Sequence, residues 1–129
     1  MKPVRIIIGI LLLGLVLFFV RAAYLYATDS PYRISSQKAK QLLQSGKMDV
    51  ILDVRTALER SSLGFYPGSV HIPSADLERM MPNRYPNKQT RILAYCNTGH
   101  RARMATDKLH ALGYTNAVYI SSNHTSLMS

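Results

Sequence analysis

From Ile6 to Val20 the chain runs through fifteen consecutive apolar or glycine residues, with Lys2 and Arg5 before them and Arg21 directly after. A run this uniform has no polar face to turn to water. Of the 129 residues it leaves about 100 for a folded unit, which is room for one compact domain with one core and none for a second. Two readings fit the run. A removable signal peptide has a basic start, an apolar stretch of about 7–15 residues and small residues at its cleavage site, and Val20-Arg21-Ala22 is a poor site of that kind. An uncleaved membrane anchor needs about 20 residues, reached if a helix extends from Ile6 to Ala27 with Arg21 snorkelling outward and Tyr24 and Tyr26 in the interfacial belt. The anchor is the favoured reading. The basic start (the Met1 amine, Lys2 and Arg5) favours an inside N-terminus and a domain on the outer side of an inner membrane, the periplasm of a Gram-negative cell. Arg21, Arg33, Lys38 and Lys40 oppose that orientation, so a cytoplasmic domain stays open.

The remaining pattern predicts residues 1–27 as the anchor or signal segment, 28–34 as a linker, 35–120 as one domain and 121–129 as an irregular tail. Ser35 or Ser36 caps a helix running to about Ser45, with Ala39, Leu42 and Leu43 on its apolar face and Gly46 ending it. Val50-Ile51-Leu52 is a short continuous apolar run, the signal of a strand buried on both faces. Thr56-Ala57-Leu58-Glu59 is a capping box opening a short helix. Val70–Ile72 reads as a brief strand, Ser74–Met81 as a helix with Leu77, Met80 and Met81 inward, and Pro82–Asn87 as a loop. Met104, Ala105, Leu109 and Leu112 recur at helical spacing, and Val118–Ile120 closes the pattern as a last strand. Strands alternating with helices predict an α/β domain, an open parallel sheet flanked by helices, with its site beyond the carboxyl ends of the strands.

One loop carries most of the chemistry. Ile92–Tyr95 reads as a strand and Ala102–Leu112 as a helix, and between them lie Cys96, Asn97, Thr98, Gly99, His100 and Arg101, including the only cysteine. A turn from strand into helix aims backbone N–H groups at whatever sits above the helix N-terminus, where the dipole adds roughly half a positive charge. A thiol there is held toward its reactive thiolate form, with Arg101 and His100 as neighbouring cations. A loop whose amides converge on one point also needs a residue tolerant of positive φ, which Gly99 supplies.

Cys-x-x-Gly-x-Arg in this setting resembles the active-site loop of the rhodanese (sulfurtransferase) family. Three more segments agree in order: Ile51-Leu52-Asp53-Val54-Arg55, Tyr66-Pro67-Gly68-Ser69-Val70-His71-Ile72-Pro73, and Leu112-Gly113-Tyr114-Thr115-Asn116-Ala117-Val118-Tyr119. The match spans about Ser35 to Ile120. Tyr95-Cys96-Asn97-x-Gly99 and the apolar N-terminus also resemble the small exported rhodaneses of the bacterial phage-shock response. Related phosphatases and arsenate reductases place their arginine one residue later, where this chain has Ala102, and the smaller loop suits a sulfur atom better than a tetrahedral phosphate. The resemblance implies transfer of a sulfane sulfur from a small anionic donor such as thiosulfate to a thiol or cyanide acceptor, through a persulfide on Cys96 with sulfite leaving. The amides of Asn97–Arg101 would stabilise the persulfide as an oxyanion hole does oxygen. Arg101 would either orient the sulfonate or brace the loop from below, with bracing preferred. Asp53 and Arg55 would form an ion pair under the loop. His100 would either tune charge or simply face solvent.

The chain departs from the family pattern after Ile120, where a Gly-Gly segment and a tryptophan are usual and Ser121–Ser129 stands instead. That leaves one wall of the pocket undefined. A net charge of +9 suits anionic substrates and an anionic lipid surface. Its basic residues are spread without a dense patch or interleaved aromatics, so no nucleic-acid partner is expected. No metal and no cofactor are expected either, since His71, His110 and His124 lack ligand spacing and no second cysteine exists to help, or to form a disulfide. Two other classes of function share Cys96: a non-catalytic membrane-bound persulfide carrier or interaction module, and a thiol redox switch.

Overall fold

A computed structural model describes residues 2–128; Met1, with its amine, and Ser129 lie outside the described residues. The apolar run forms most of α1 (Lys2–Thr28), a helix long and apolar enough to cross a membrane, none of whose apolar span is buried by the rest of the chain. The domain follows in the order α2 (Ser36–Gln44), β1 (Val50–Asp53), α3 (Ala57–Leu63), β2 (Val70–His71), α4 (Leu77–Arg84), β3 (Ile92–Tyr95), α5 (His100–Ala111) and β4 (Ala117–Tyr119). The four strands pair in parallel in the order β2-β1-β3-β4, with Asp53 beside Tyr95 on one side and His71 on the other. This is the α/β parallel architecture that alternation predicts.

Two cores explain why the central strands are apolar up to Asp53 at the end of β1. On one face Val50, Leu52, Ile92 and Ala94 pack with Leu77 and Met81 of α4 and Ala102, Ala105 and Leu109 of α5. On the other, Leu93 and Tyr95 pack with Ala39 of α2, Ile120 and Leu127. Every residue of β3 is therefore buried, as a strand covered on both sides must be. The loops that leave β1 and β3 emerge together at the carboxyl edge of the sheet.

Local signals account for several boundaries. The Ser35 side chain accepts the Lys38 amide to start α2, and Gly46 follows it at a φ of 68°. Thr56 and Glu59 close both bonds of the capping box at α3. Other expectations shift. The segment expected as one helix over Ser74–Met81 begins as a 3₁₀ turn at Ser74–Asp76 and becomes α4 only at Leu77, and α4 runs through Pro82 to Arg84. Proline's fixed φ is helical, and its missing donor falls in the last turn, where little of the helix remains to be disrupted. α5 starts two residues early, at His100, and Met104 is exposed rather than packed on the sheet. The last strand is Ala117–Tyr119, one residue before the expected span. Where an irregular tail is expected, His124–Leu127 forms a 3₁₀ turn that buries both of its end residues.

The stretch after α1 is packed against the sheet. Arg33 bridges to Tyr119 in parallel fashion, the Tyr119 amide donates to the Tyr32 carbonyl at 3.0 Å, and the Ile34 amide donates to the Tyr119 carbonyl at 2.9 Å. The free carbonyls at the end of α1 find donors in the domain: Tyr119 Oη donates to Ala27 O at 2.6 Å, and Arg103 Nη1 to Tyr26 O at 2.6 Å and Asp29 O at 2.9 Å. Tyr119→Phe should leave the buried Ala27 carbonyl without this donor. The expected cost is about 1–3 kcal/mol, read by chemical denaturation of the detergent-solubilised full chain.

Candidate active site

The site starts from a single buried carboxylate. Asp53, at the end of β1, is fully buried, and its Oδ1 accepts the Arg55 amide at 3.0 Å and Arg55 Nε at 2.9 Å. Its Oδ2 accepts Arg55 Nη2 at 2.9 Å, Arg60 Nη1 at 3.0 Å and Tyr95 Oη at 3.1 Å. Burial pushes the Asp53 carboxyl up, and the Arg55 bonds, with Arg60 behind them, more than reverse it, so it is held below the usual carboxylate range. Arg55 is likewise fully buried, and its Nη1 reaches Asn97 Oδ1 at 3.3 Å. The Asp53–Arg55 pair thus lies under the cysteine loop and holds Asn97, the residue after Cys96.

A second anchor comes from α3. Glu59 takes both arms of Arg101, at 2.6 and 2.7 Å, together with Asn97 Nδ2 at 2.7 Å and the Thr56 amide at 3.1 Å. The Arg101 fork is the main cause that holds the Glu59 carboxyl well below its ordinary value. Both ends of the Arg101 fork are thus turned to α3. Glu59 is the residue that sequence reasoning missed: its place in the capping box already explained it, and nothing local shows that its outer oxygens face a loop 38 positions away.

Between these anchors, Gly99 turns the chain at a φ of 99° into the first turn of α5. The Cys96 sulfur accepts the Gly99 amide at 3.1 Å and the Ala102 amide at 3.4 Å. Of the amides expected from Asn97–Arg101, only Gly99 reaches the sulfur, and Ala102, outside that set, supplies the second donor. The helix beginning early, at His100, is what brings Ala102 round to face Cys96. Thr98 and His100 are exposed, and the His100 ring lies 4.7 Å from that of Tyr26 on α1.

Cys96 itself is 1% exposed. Beside it a cavity of about 450 Å³ is lined by Arg55, Leu63, Asn97, Thr98, Asn123, His124 and Thr125. The 3₁₀ turn of the C-terminal segment therefore supplies the pocket wall that the sequence left undefined. His124 is buried there with its Nδ1 unpartnered, and burial, aided by the charge of Arg55, pushes its imidazole below the ordinary value. The other histidines are engaged elsewhere, His71 with the Arg55 carbonyl at 2.7 Å and His110 with the Ala117 carbonyl at 2.8 Å.

The chain belongs to the rhodanese-like domain family, whose model matches residues 35–125. It is 32% identical over 79 residues to the rhodanese domain-containing protein CG4456 of Drosophila melanogaster, covering 53% of this chain and 71% of the fly protein. It is 31% identical over 100 residues to the mouse thiosulfate sulfurtransferase/rhodanese-like domain-containing protein 3, covering 69% of this chain and 63% of the mouse protein. Among solved structures it resembles the human single-domain sulfurtransferase TSTD1, at a TM-score of 0.63 and 27% identity, over 75% of this chain and 95% of that one. A Rhodopseudomonas palustris protein described as a possible tyrosine phosphatase shares the fold at a TM-score of 0.65 and 24% identity, over 81% of this chain and 84% of that one.

Two outcomes follow from this geometry. A Cβ at Gly99 would sit 2.7 Å from Ser121 Cα at a φ that L residues rarely adopt, whereas Gly68, at a φ of 84°, has open space around it. Gly99→Ala should therefore cost clearly more in urea denaturation than Gly68→Ala, which carries only backbone strain of roughly 1–3 kcal/mol. The second outcome concerns acid. A carboxyl depressed by folding binds fewer protons folded than unfolded, so Glu59 contributes stability above its ordinary value of 4.5 and loses it as the pH falls. Glu59→Gln removes that titration, and the unfolding free energy from urea denaturation below pH ~4.5 should fall less steeply than in the wild type, by up to about 1.4 kcal/mol per pH unit.

Proposed function

We propose that the chain is a membrane-anchored sulfurtransferase that passes a sulfane sulfur through a persulfide on Cys96. The observation that carries this reading is the pair of backbone donors, from Gly99 and Ala102, aimed at the Cys96 sulfur at the start of α5. In the first step the Cys96 thiolate attacks the outer sulfur of thiosulfate or a similar donor. A new S–S bond forms, the old one breaks with its electron pair on the departing sulfite, and a Cys96 persulfide anion remains. In the second step a thiolate or cyanide attacks the terminal sulfur and regenerates the Cys96 thiolate.

The residues divide the work. The Gly99 and Ala102 amides stabilise the sulfur anion, a role in which one lost donor costs on the order of 3 kcal/mol, about a hundredfold in rate. Arg101 braces the loop through Glu59, and Asp53 with Arg55 holds its base through Asn97. A sulfur this covered is reached only when its cover moves, and the exposed Thr98, which lines the neighbouring cavity, is the part of the loop that shifts to admit the donor. His124, whose Nδ1 has no partner, gives that cavity a polar edge.

The anchor reading belongs to the same proposal. α1 crosses an inner membrane once, Lys2 and Arg5 stay inside, and the domain stands in the periplasm, as in the exported phage-shock rhodaneses that its Tyr95-Cys96-Asn97 stretch resembles. The test is mass spectrometry of the full chain after incubation with thiosulfate, paired with thiocyanate release on adding cyanide. Gain of one sulfur on Cys96 with repeated thiocyanate turnover is expected, and Cys96→Ser should lose both. Sulfur gained without turnover makes the protein a carrier, and turnover surviving in Cys96→Ser overturns the mechanism.

A further inference from the structure

The cysteine loop is packed on the membrane helix. Ala27 is buried, and its Cβ would lie 3.4 Å from a Cβ at Gly99. Tyr26 meets the His100 ring and lies under the Arg103 guanidinium at 4.2 Å. Val20, Ala23, Tyr24 and Ala27 of α1 form, with Thr98 and His100, a groove of about 280 Å³. Tyr119 of β4 and Arg103 of α5 bond the end of α1 to the elements on either side of this contact.

Length then decides the depth. Ile6–Val20 is 15 residues, about 22 Å of helix at 1.5 Å per residue, against a hydrocarbon layer of about 30 Å. Filling that layer draws in the next turn and more, to about Leu25, with Arg21 reaching for the headgroups. Those are the turns against which Thr98 and His100 are packed. Leu63, exposed on the other side of Thr98, extends the apolar rim.

We propose that the Cys96 loop works at the bilayer surface: Thr98 and His100 lie in the headgroup layer, and lipid fills the groove between them and α1. This inference rests on reading α1 as a membrane span, and the two can be told apart. The chain has no tryptophan, so one introduced indole is an unambiguous reporter. The full chain is reconstituted in nanodiscs of phosphatidylcholine and phosphatidylglycerol, brominated at either the top or the end of the acyl chain, with a single tryptophan in each variant. Leu13→Trp reports on the span, Thr98→Trp on the loop, and Thr115→Trp on the opposite end of α5, about 18 Å away along a 12-residue helix.

Chain-end bromine should quench Leu13→Trp, and chain-top bromine should quench Thr98→Trp severalfold more than Thr115→Trp. His100→Trp is a second loop reporter, to be read in place of Thr98→Trp if circular dichroism shows that variant unfolded. If Leu13→Trp is quenched but both loop reporters match Thr115→Trp, the loop stands clear of the lipid and this inference fails while the anchor survives. If Leu13→Trp is not quenched, both fail.

Discussion

The Asp53 carboxylate is the constraint on which the site's geometry depends. A charge with no exposure to water must have its lone pairs filled, and five donors from Arg55, Arg60 and Tyr95 fill them. Those donors come from the loop after β1, from α3 and from β3, so satisfying one carboxylate fixes three pieces of backbone at the carboxyl edge of the sheet. Buried pairs of this kind add little net stability, yet removing one partner costs about 3–5 kcal/mol because the other is stranded. The value of the arrangement is positional. Arg55 is held so that it can reach Asn97, and Arg60 stacks on Phe65 at 3.9 Å while holding the chain that leads into β2.

From that base the loop is held twice more. Glu59 grips Asn97 and Arg101 from the first turn of α3, and Gly99 makes the turn that lets α5 begin at His100. The consequence is chemical, since an early helix start places the Ala102 amide, with that of Gly99, on the Cys96 sulfur. Neither amide could be aimed there by local preference alone, as α5 has no side-chain cap and Gly99 occupies the left-handed region. The ion pairs below the loop supply the missing restraint.

The parts of this design that depend on near neighbours were legible in the sequence. Continuous apolar runs gave β1 and β3, the Thr56–Glu59 spacing gave α3, and Asp53 and Arg55 stood at a strand end where an ion pair beneath the loop was expected. What escaped depends on contacts between distant segments. Glu59 serves the loop with oxygens whose local role was already accounted for. Ala102 reads as an ordinary helical residue until the helix start is known. His124 and Leu127 lie in a stretch without periodicity, yet the space beside Tyr95 and Ile120 draws them in, Leu127 into the core and His124 onto the pocket wall. Residues 28–34 have the composition of a linker, and backbone pairing with Tyr119 holds the end of the segment, Tyr32 to Ile34, against the sheet. Met104 followed the helical spacing but falls beyond the edge of the buried stripe.

In the proposed mechanism the Gly99 and Ala102 amides hold a sulfur anion on Cys96. The amide resonances of Gly99 and Ala102 report on it most directly, followed by nuclear magnetic resonance in the isotope-labelled, detergent-solubilised full chain as thiosulfate is added. Both should shift together in the wild type as the persulfide forms, and both should stay in place in Cys96→Ser. Resonances that stay fixed in the wild type while sulfite is released would contradict the account.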